Sequence, residues 1–499
     1  MYDDDVWVGL DLGTQGVRAL AVTDDGQVRG RGSAPLTGHR DGDRHEQLPA
    51  DWWTAATAAL RRTLREVPAA RVRGIAVCST SGTVLLTDAE GTPLTPALMY
   101  DDSRAAAEAR HAQETSADVW RSLGIRIQPS WALAKLLWLT GAGQGEAAAG
   151  GSADPARLRG ARVCHQADFV TGRLVGHRVA TDSSHALKTG YDLLTRTWPT
   201  AVHDRLGLSG LDFPDVVAPG APLGTVGREA AEATGLAEGT PVVAGMTDGC
   251  AAQLGSGAWE VGQWNSVLGT TLVLKGVTAS PLHDPAGVVY NHRSPDGNWL
   301  PGGASSVGAG ILTRTFPGAD LGQLDQRAAA REPASTVAYP LVSRGERFPF
   351  LAPGAEAFVL RTPADDADHH AALLQGVALT ERLCLAYVRM LGAPVEGPVT
   401  FTGGATRSAY WNQLRADVLG RAAAIPELTD PALGMAVLAA YGVRGGGPVA
   451  RGMVRIRTTL EPRRDHHDRF TEAFGTLVDE LERRGWLPPE TAAYARTEG

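Results

Sequence analysis

Lysine is scarce in this chain: of 47 basic residues only three are lysine (Lys135, Lys188 and Lys275) and 44 are arginine. A Walker phosphate loop needs a glycine directly before its lysine, because backbone amides and the ammonium act together on one phosphate chain. Here the three lysines follow Ala134, Leu187 and Leu274, so the chain holds no nucleotide by that device. Coding bias accounts for the arginine excess itself. Cysteine is nearly as rare. Cys78, Cys164, Cys250 and Cys384 lie far apart with no CxxC, which argues against a disulfide framework or a zinc knuckle. No stretch approaches the ~20 apolar residues that span a bilayer. The start, Met1-Tyr2-Asp3-Asp4-Asp5, is acidic where a secretion signal would be basic and then apolar. The expectation is a cytoplasmic protein with no membrane partner. A net charge of -8 works against nucleic-acid binding. HExxH, GxSxG and a strand-to-helix GxGxxG are all missing. The pairs His369-His370 and His466-His467 lack companion ligands in sequence and read as exposed helix residues.

What is present is an ordinary globular composition, 43% hydrophobic and 20% charged over 499 residues. The first hundred residues read as strands at 6–10, 17–23 and 27–33, with Asp24-Asp25-Gly26 as a hairpin turn. A helix follows at 51–67, with Asp51 as its cap and Trp52, Ala56, Leu60 and Leu64 on one stripe, then strands at 72–78 and 83–87. This order is α/β and layered, but it opens with antiparallel hairpins, unlike a pure Rossmann unit. The Gly/Ala-rich stretch 140–162 reads as a surface excursion. Strands at 263–268 and 271–277 enclose Leu268-Gly269-Thr270, which repeats Leu12-Gly13-Thr14 in the same strand–turn–strand setting. Helices follow near 371–391, 408–420 and 433–442, with a strand at 399–402 and an amphipathic stretch at 470–484.

Four constellations carry chemistry. Asp11-Leu12-Gly13-Thr14-Gln15-Gly16 ends a strand in a turn whose amides and hydroxyl suit phosphate oxygens, and its carboxylate suits Mg²⁺ held through water. A plain hairpin with an Asp cap explains the same residues. Leu268-Gly269-Thr270-Thr271 offers similar donors without the acid. Asp248 follows a strand and opens a small-residue helix, where the helix dipole keeps a carboxylate ionised and able to accept a hydroxyl proton. An N-cap role explains that position equally well. Thr402-Gly403-Gly404-Ala405 and Ser408 form a glycine turn between strand and helix, which lets backbone approach a flat ligand.

In this order the motifs resemble the FGGY carbohydrate kinase family, within the actin/hexokinase/Hsp70-like ATPases. The likeness runs from about Val6 to Gly442 and includes Lys135-Leu136-Leu137-Trp138-Leu139 and Tyr100-Asp101-Asp102-Ser103-Arg104. Thr80-Ser81-Gly82-Thr83-Val84-Leu85-Leu86 and His185-Ala186-Leu187-Lys188-Thr189-Gly190-Tyr191 look like its D-ribulose kinase (xylulose-kinase-like) group.

The resemblance implies an α/β fold of two actin/hexokinase-like (ribonuclease H-like) lobes with mixed sheets and a central cleft. The lobes would be residues 1–245 and 246–445, followed by a helical tail at 446–499. It implies ATP and Mg²⁺ as cofactors, a small sugar as partner and a homodimer. Asp248 matches the catalytic base. Asp11 matches the acid near the sugar and Mg²⁺. Gln15, Arg18, Ser81 and Asp102 match the sugar side. Gly13 and Thr14 match the first phosphate turn, and Gly269, Thr270 and Thr271 the second. Gly303, Gly403, Gly404, Ser408 and Trp411 match the nucleotide segment. Ala405 departs from the family's usual third glycine there, Ala132 from its Ser, Thr or Pro, and Gln15 from its commoner Ser. The implied reaction is phosphorylation of the terminal hydroxyl of a ketopentose, D-ribulose first, with D-xylulose or a pentitol as alternatives. A catalytically inactive sensor and an ATPase acting on a protein partner are the rival classes.

Overall fold

The computed structural model describes residues 4–142, 158–446 and 452–498; most of the Gly/Ala-rich stretch 140–162 lies outside them. The chain divides into two compact units. Unit 1 comprises Met1–Gly255, His292–Gly297 and Asp430–Arg455, and unit 2 comprises Ser256–Asn291, Asn298–Thr429 and Ile456–Gly499. This division differs from a single boundary at residue 245. The helix Asp248–Gly255 stays with unit 1, and the helix Pro431–Arg444 returns to it.

Unit 1 is built on β1 (Val6–Leu12), β2 (Gly16–Thr23), β3 (Val28–Pro35), β4 (Val72–Ser79), β5 (Pro222–Thr225) and β6 (Pro241–Val243), arranged β5-β6-β4-β1-β2-β3. β1, β2 and β3 form an antiparallel meander, β4 and β6 run parallel to β1, and β5 is antiparallel to β6. Every residue of β1 is buried, as a central strand covered on both faces must be. Val8 and Leu10 share a core with Trp52, Ala56 and Leu60 of the helix Pro49–Thr63. That helix begins two residues before Asp51, with Pro49 in its first turn, where the missing N–H costs nothing. The other face receives the helix Pro431–Arg444. A Cβ on Gly9 would stand 1.8 Å from the Ala432 carbonyl oxygen, so only glycine allows this approach.

In unit 2, β7 (Trp264–Leu268), β8 (Leu272–Gly276), β9 (Trp299–Ala304), β10 (Val399–Thr402), β11 (Ala423–Pro426) and β12 (Ile456–Leu460) run β9-β8-β7-β10-β11-β12. Again an antiparallel meander, here β7-β8-β9, is followed by two parallel strands and an antiparallel one. The Leu-Gly-Thr repeat therefore falls at the β1–β2 turn of one unit and at the β7–β8 turn of the other. The predicted α/β class with mixed sheets is what is found. The helix Asp366–Met390 is long and apolar enough to cross a membrane, but that apolar window is wholly buried in the core. His370 on this helix is fully buried and bonded to Asp325 at 2.7 Å, which corrects the expectation of an exposed pair. His466 and His467 are partly buried, and His467 Nδ1 lies 3.1 Å from the Val418 carbonyl. All four cysteines are buried.

His203 in unit 1 lies stacked on Phe213 with ring centroids 4.0 Å apart and beside Trp198, its Nε2 without a hydrogen-bond partner among the described residues. Burial pushes this imidazole down to about 4. The fold therefore prefers the neutral ring. Its contribution is intact above the ordinary histidine range and is lost as pH falls from about 6.5 toward 4, by roughly 3 kcal/mol in full. Melting curves at pH 7 and pH 4.5 check this: His203→Phe should lose less stability on acidification than the unsubstituted chain. Equal losses would refute it.

Candidate active site

The acidic end of β1 is enclosed by its neighbours. Asp11 lies opposite Arg18 in the antiparallel register with β2 and opposite Cys78 in the parallel register with β4. The pleat puts alternate side chains of these strands on one face. Arg18 Nη2 donates to Asp11 Oδ2 at 2.6 Å, and the Cys78 thiol reaches Asp11 Oδ1 at 3.5 Å. Asp11 is 1% exposed, whereas the Arg18 side chain is half-exposed. Arg18 Nε is also 3.9 Å from Asp430, which caps the helix Pro431–Arg444 by accepting from the Ala432 N–H at 3.0 Å. Burial raises Asp11 to about 6; Arg18 opposes this, and the charges of Asp248 and Asp430 reinforce it. Burial first, then the Asp11 and Asp248 charges, pushes Cys78 up, so it is a thiol donor and not a thiolate.

Asp248 opens the helix Asp248–Gly255, half-buried, with its Oδ1 accepting from the Gly249 N–H at 2.7 Å. The preceding residue, Thr247, forms a parallel bridge with Ser79 at the end of β4. Asp11 and Asp248 thus stand at neighbouring strand ends and feel each other's charge.

The β1–β2 turn is braced from below. Gln47 Nε2 donates to the Thr14 carbonyl at 2.8 Å, and Gln47 Oε1 accepts from the Trp52 indole at 2.7 Å. Gly13 N–H closes the turn on the Gly16 carbonyl at 3.0 Å, and Gln15 points to solvent. Ser81 is half-buried, its carbonyl accepting from Lys188 Nζ at 3.3 Å. Lys135 ties three loops together by donating to the carbonyls of Gly82, Met99 and Ser130 at 3.0, 2.5 and 2.9 Å. Burial pushes Lys135 down to about 7, yet three carbonyl partners need three hydrogens, so this cage holds the ammonium. Asp102, predicted on the sugar side, is fully buried and turned inward. Its oxygens take the Arg104 guanidinium at 2.6 and 2.9 Å and the His45 N–H at 2.7 Å, so it braces the loop and presents no oxygen outward.

Unit 2 brings a second set together. The Gly269 N–H bonds the Thr271 carbonyl at 3.1 Å, and the carbonyls of Gly269 and Thr270 accept from Ala309 and Gly310 at 3.0 Å each. Thr270 is exposed at the tip. Gly403 has a φ of +88° and passes over the Leu268 carbonyl, which a Cβ would meet at 2.5 Å; a side chain there would separate the two turns. Gly404 lies exposed beside it. The remaining predicted contacts have structural uses. Gly303 is buried under Phe348, whose ring a Cβ would meet at 2.4 Å. Ser408 caps the next helix through the Trp411 N–H at 3.0 Å and donates to Asp325 at 2.6 Å. Trp411 is a core residue bonded to the Leu374 carbonyl at 3.1 Å.

One residue near Asp11 escaped the sequence reading. Asp430 had a signal, the Asp430-Pro431 cap pattern before an apolar helix. Tyr100, the first residue of the Tyr100-Asp101-Asp102-Ser103-Arg104 motif, is 41% exposed. Among the described residues no group of three or more His, Cys, Asp or Glu could hold a metal. The carboxylate of Asp11, reinforced by the Asp248 charge, still suits a hydrated Mg²⁺, which takes one or two carboxylates and keeps its waters.

The model of the FGGY family of carbohydrate kinases matches with its N-terminal domain over residues 6–255 and with its C-terminal domain over 264–443. A xylulose kinase of Streptomyces coelicolor is 31% identical over 91% of both chains. An autoinducer-2 kinase of Yersinia enterocolitica is 29% identical over 88% of this chain and 86% of that protein. The crystal structure of a xylulose kinase from Rhodospirillum rubrum superposes with a TM-score of 0.83 at 26% identity, covering 96% of this chain and 99% of that one.

Proposed function

This chain belongs to the FGGY family of carbohydrate kinases, which use ATP with Mg²⁺, and from that premise we propose that it phosphorylates the terminal hydroxyl of a ketopentose in the cytoplasm. The observation that carries this reading is the pairing of Asp248 with the Asp11–Arg18 couple at neighbouring strand ends of unit 1. Asp248 accepts the proton of the sugar hydroxyl, and that oxygen attacks the γ-phosphorus in line while ADP departs. Arg18, held by Asp11 and half-exposed, binds and orients oxygen atoms of the substrates. The amide and hydroxyl of Thr14, in the turn that Gly13 closes, and those of Thr270 and Thr271, in the turn that Gly269 closes, receive phosphate oxygens, and Gly403-Gly404 lines the nucleoside. Asp11 would hold Mg²⁺ through water; when bound, that ion neutralises charge on the phosphate oxygens. Four buried cysteines, far apart in sequence, suit a reducing compartment.

D-Ribulose is the proposed sugar, on the likeness of Thr80–Leu86 and His185–Tyr191 to the ribulose kinase group. D-Xylulose is the second reading, supported by the relatives that are xylulose kinases. The two differ at one carbon, and a polar pocket built for one hydroxyl separates such isomers strongly. ADP release with MgATP across D-ribulose, D-xylulose, ribitol, arabitol and glycerol tests this. The expected kcat/KM is about 10-fold or more higher for D-ribulose than for D-xylulose. The reverse order assigns D-xylulose. Hydrolysis indifferent to sugar would move the protein to the class of ATPases that act on a protein partner, and no turnover with any would mark a sensor.

A further inference from the structure

The end of β4 is held by a buried polar chain that the proposed reaction leaves unused. Asp182 is 3% exposed, and Ser79, Ser184 and His185 are fully buried. Asp182 Oδ1 accepts from the Ser184 N–H at 2.8 Å and from the Ser184 hydroxyl at 2.6 Å. Its Oδ2 bonds His185 Nδ1 at 2.5 Å, and His185 Nε2 lies 2.8 Å from Ser79 Oγ. Ser184 Oγ in turn accepts the Thr247 N–H at 2.8 Å. Ser79 and Thr247 are the two residues of the parallel bridge beside Asp248.

One carboxylate thus has two arms, each ending on one side of that bridge. Capping the five-residue helix Ser183–Leu187 needs only the main-chain N–H groups of Ser184 and His185. The imidazole and the Ser184 hydroxyl exceed that need. Buried polar groups are costly unless every member is bonded, and a fully bonded set fixes one arrangement of the backbone around it. Ring and carboxylate also form a charge pair. Burial pushes His185 down, but the Asp182 charge outweighs it and the net direction is up; Asp182 is held low against its own burial. Asp168 and Asp248 add negative charge around the ring, and the His165 ring lies 5.7 Å away.

We propose that Asp182, acting through His185 and Ser184, is a positioning residue that fixes the main chain on which Asp248 sits. This rests on the role proposed above for Asp248. The Thr247 N–H held by Ser184 is one residue from that carboxylate, so loss of this bond lets the base drift from the line of proton transfer. Misplacement of about 1 Å lowers turnover by up to about 100-fold.

The test compares two buried hydroxyls of the same region. Ser184→Ala removes the bond to Thr247. Thr189→Val removes an equally buried bond, from Thr189 Oγ1 to His165 Nε2 at 2.8 Å, which has no link to Thr247. Both variants should lower Tm by roughly 2–6 °C. Only Ser184→Ala should lower kcat, by about 10- to 100-fold at saturating sugar, with the KM for MgATP within about twofold of the parent. His185→Asn, which breaks the other arm, should lower kcat in the same sense. A Ser184→Ala kcat within about twofold of the parent overturns the proposal, as does an equal kcat loss in Thr189→Val. Asp248→Ala run alongside separates the two readings. If it is inactive while Ser184→Ala is normal, only the positioning role fails. If it turns over normally, the base assignment fails and the positioning role with it.

Discussion

Replacing Asp248 by Asn lowers sugar phosphorylation by about 10³-fold while leaving MgATP affinity and stability near those of the parent. Asparagine keeps the shape of the side chain and caps a helix as well as aspartate does, so the bond to the Gly249 N–H survives. What it loses is the capacity to take a proton. The residues proposed to receive phosphate and nucleoside, Gly13, Thr14, Gly269, Thr270, Thr271, Gly403 and Gly404, are all unchanged in this variant. A second effect travels with the first. The Asp248 charge helps to raise Asp11, so its removal lets Asp11 fall from about 6 toward the ordinary carboxylate range. ADP release reports turnover, calorimetric titration with nucleotide reports binding, and melting reports stability. Turnover of the Asn variant within about tenfold of the parent would show that Asp248 is a cap and not the base.

Gly9→Ala is the substitution expected to damage the fold most, by on the order of 3–5 kcal/mol. The added methyl would stand 1.8 Å from the Ala432 oxygen and 2.5 Å from the Ala436 nitrogen, and both belong to helix backbone that no rotamer change can move. Either the helix Pro431–Arg444 lifts off β1 or β1 bends, and in both cases Asp430 and Asp11 separate. Urea unfolding should show an earlier transition and a loss of activity in the folded fraction. Gly210→Ala, where nothing lies within 4 Å, is the matched control and should stay within about 0.5 kcal/mol of the parent. Similar midpoints for the two variants would refute the packing account.

Much of this site was legible in sequence because its parts are local. A fully apolar strand ending in Asp11-Leu12-Gly13-Thr14 declares strand, turn and acid within a few residues, and Leu268-Gly269-Thr270 repeats the pattern. Other positions are harder to read because one residue type serves two purposes. Glycine at 303 clears the Phe348 ring, tryptophan at 411 fills a core, and the Asp102 carboxylate takes a guanidinium two residues away. Motif matching cannot separate those uses from ligand contact, since both demand the same side chain. His370 was misplaced because its partner Asp325 is 45 residues distant, and no local pattern declares a buried pair. The clamp around Asp182 was equally hidden, joining residues 63 and 106 positions apart.

The return of Asp430–Arg455 to the first unit sets the order of events at the ribosome. Asp24 and Arg444, which form an ion pair in that unit, are 420 residues apart. At 5–20 residues per second, about 20 to 80 s of synthesis separate β1 from the helix that covers its Gly9 face. Throughout that interval the nascent chain carries an uncovered apolar sheet while the second unit is still being made. Completion of the first unit therefore waits for the helix Pro431–Arg444, and a chain released before it cannot close that core.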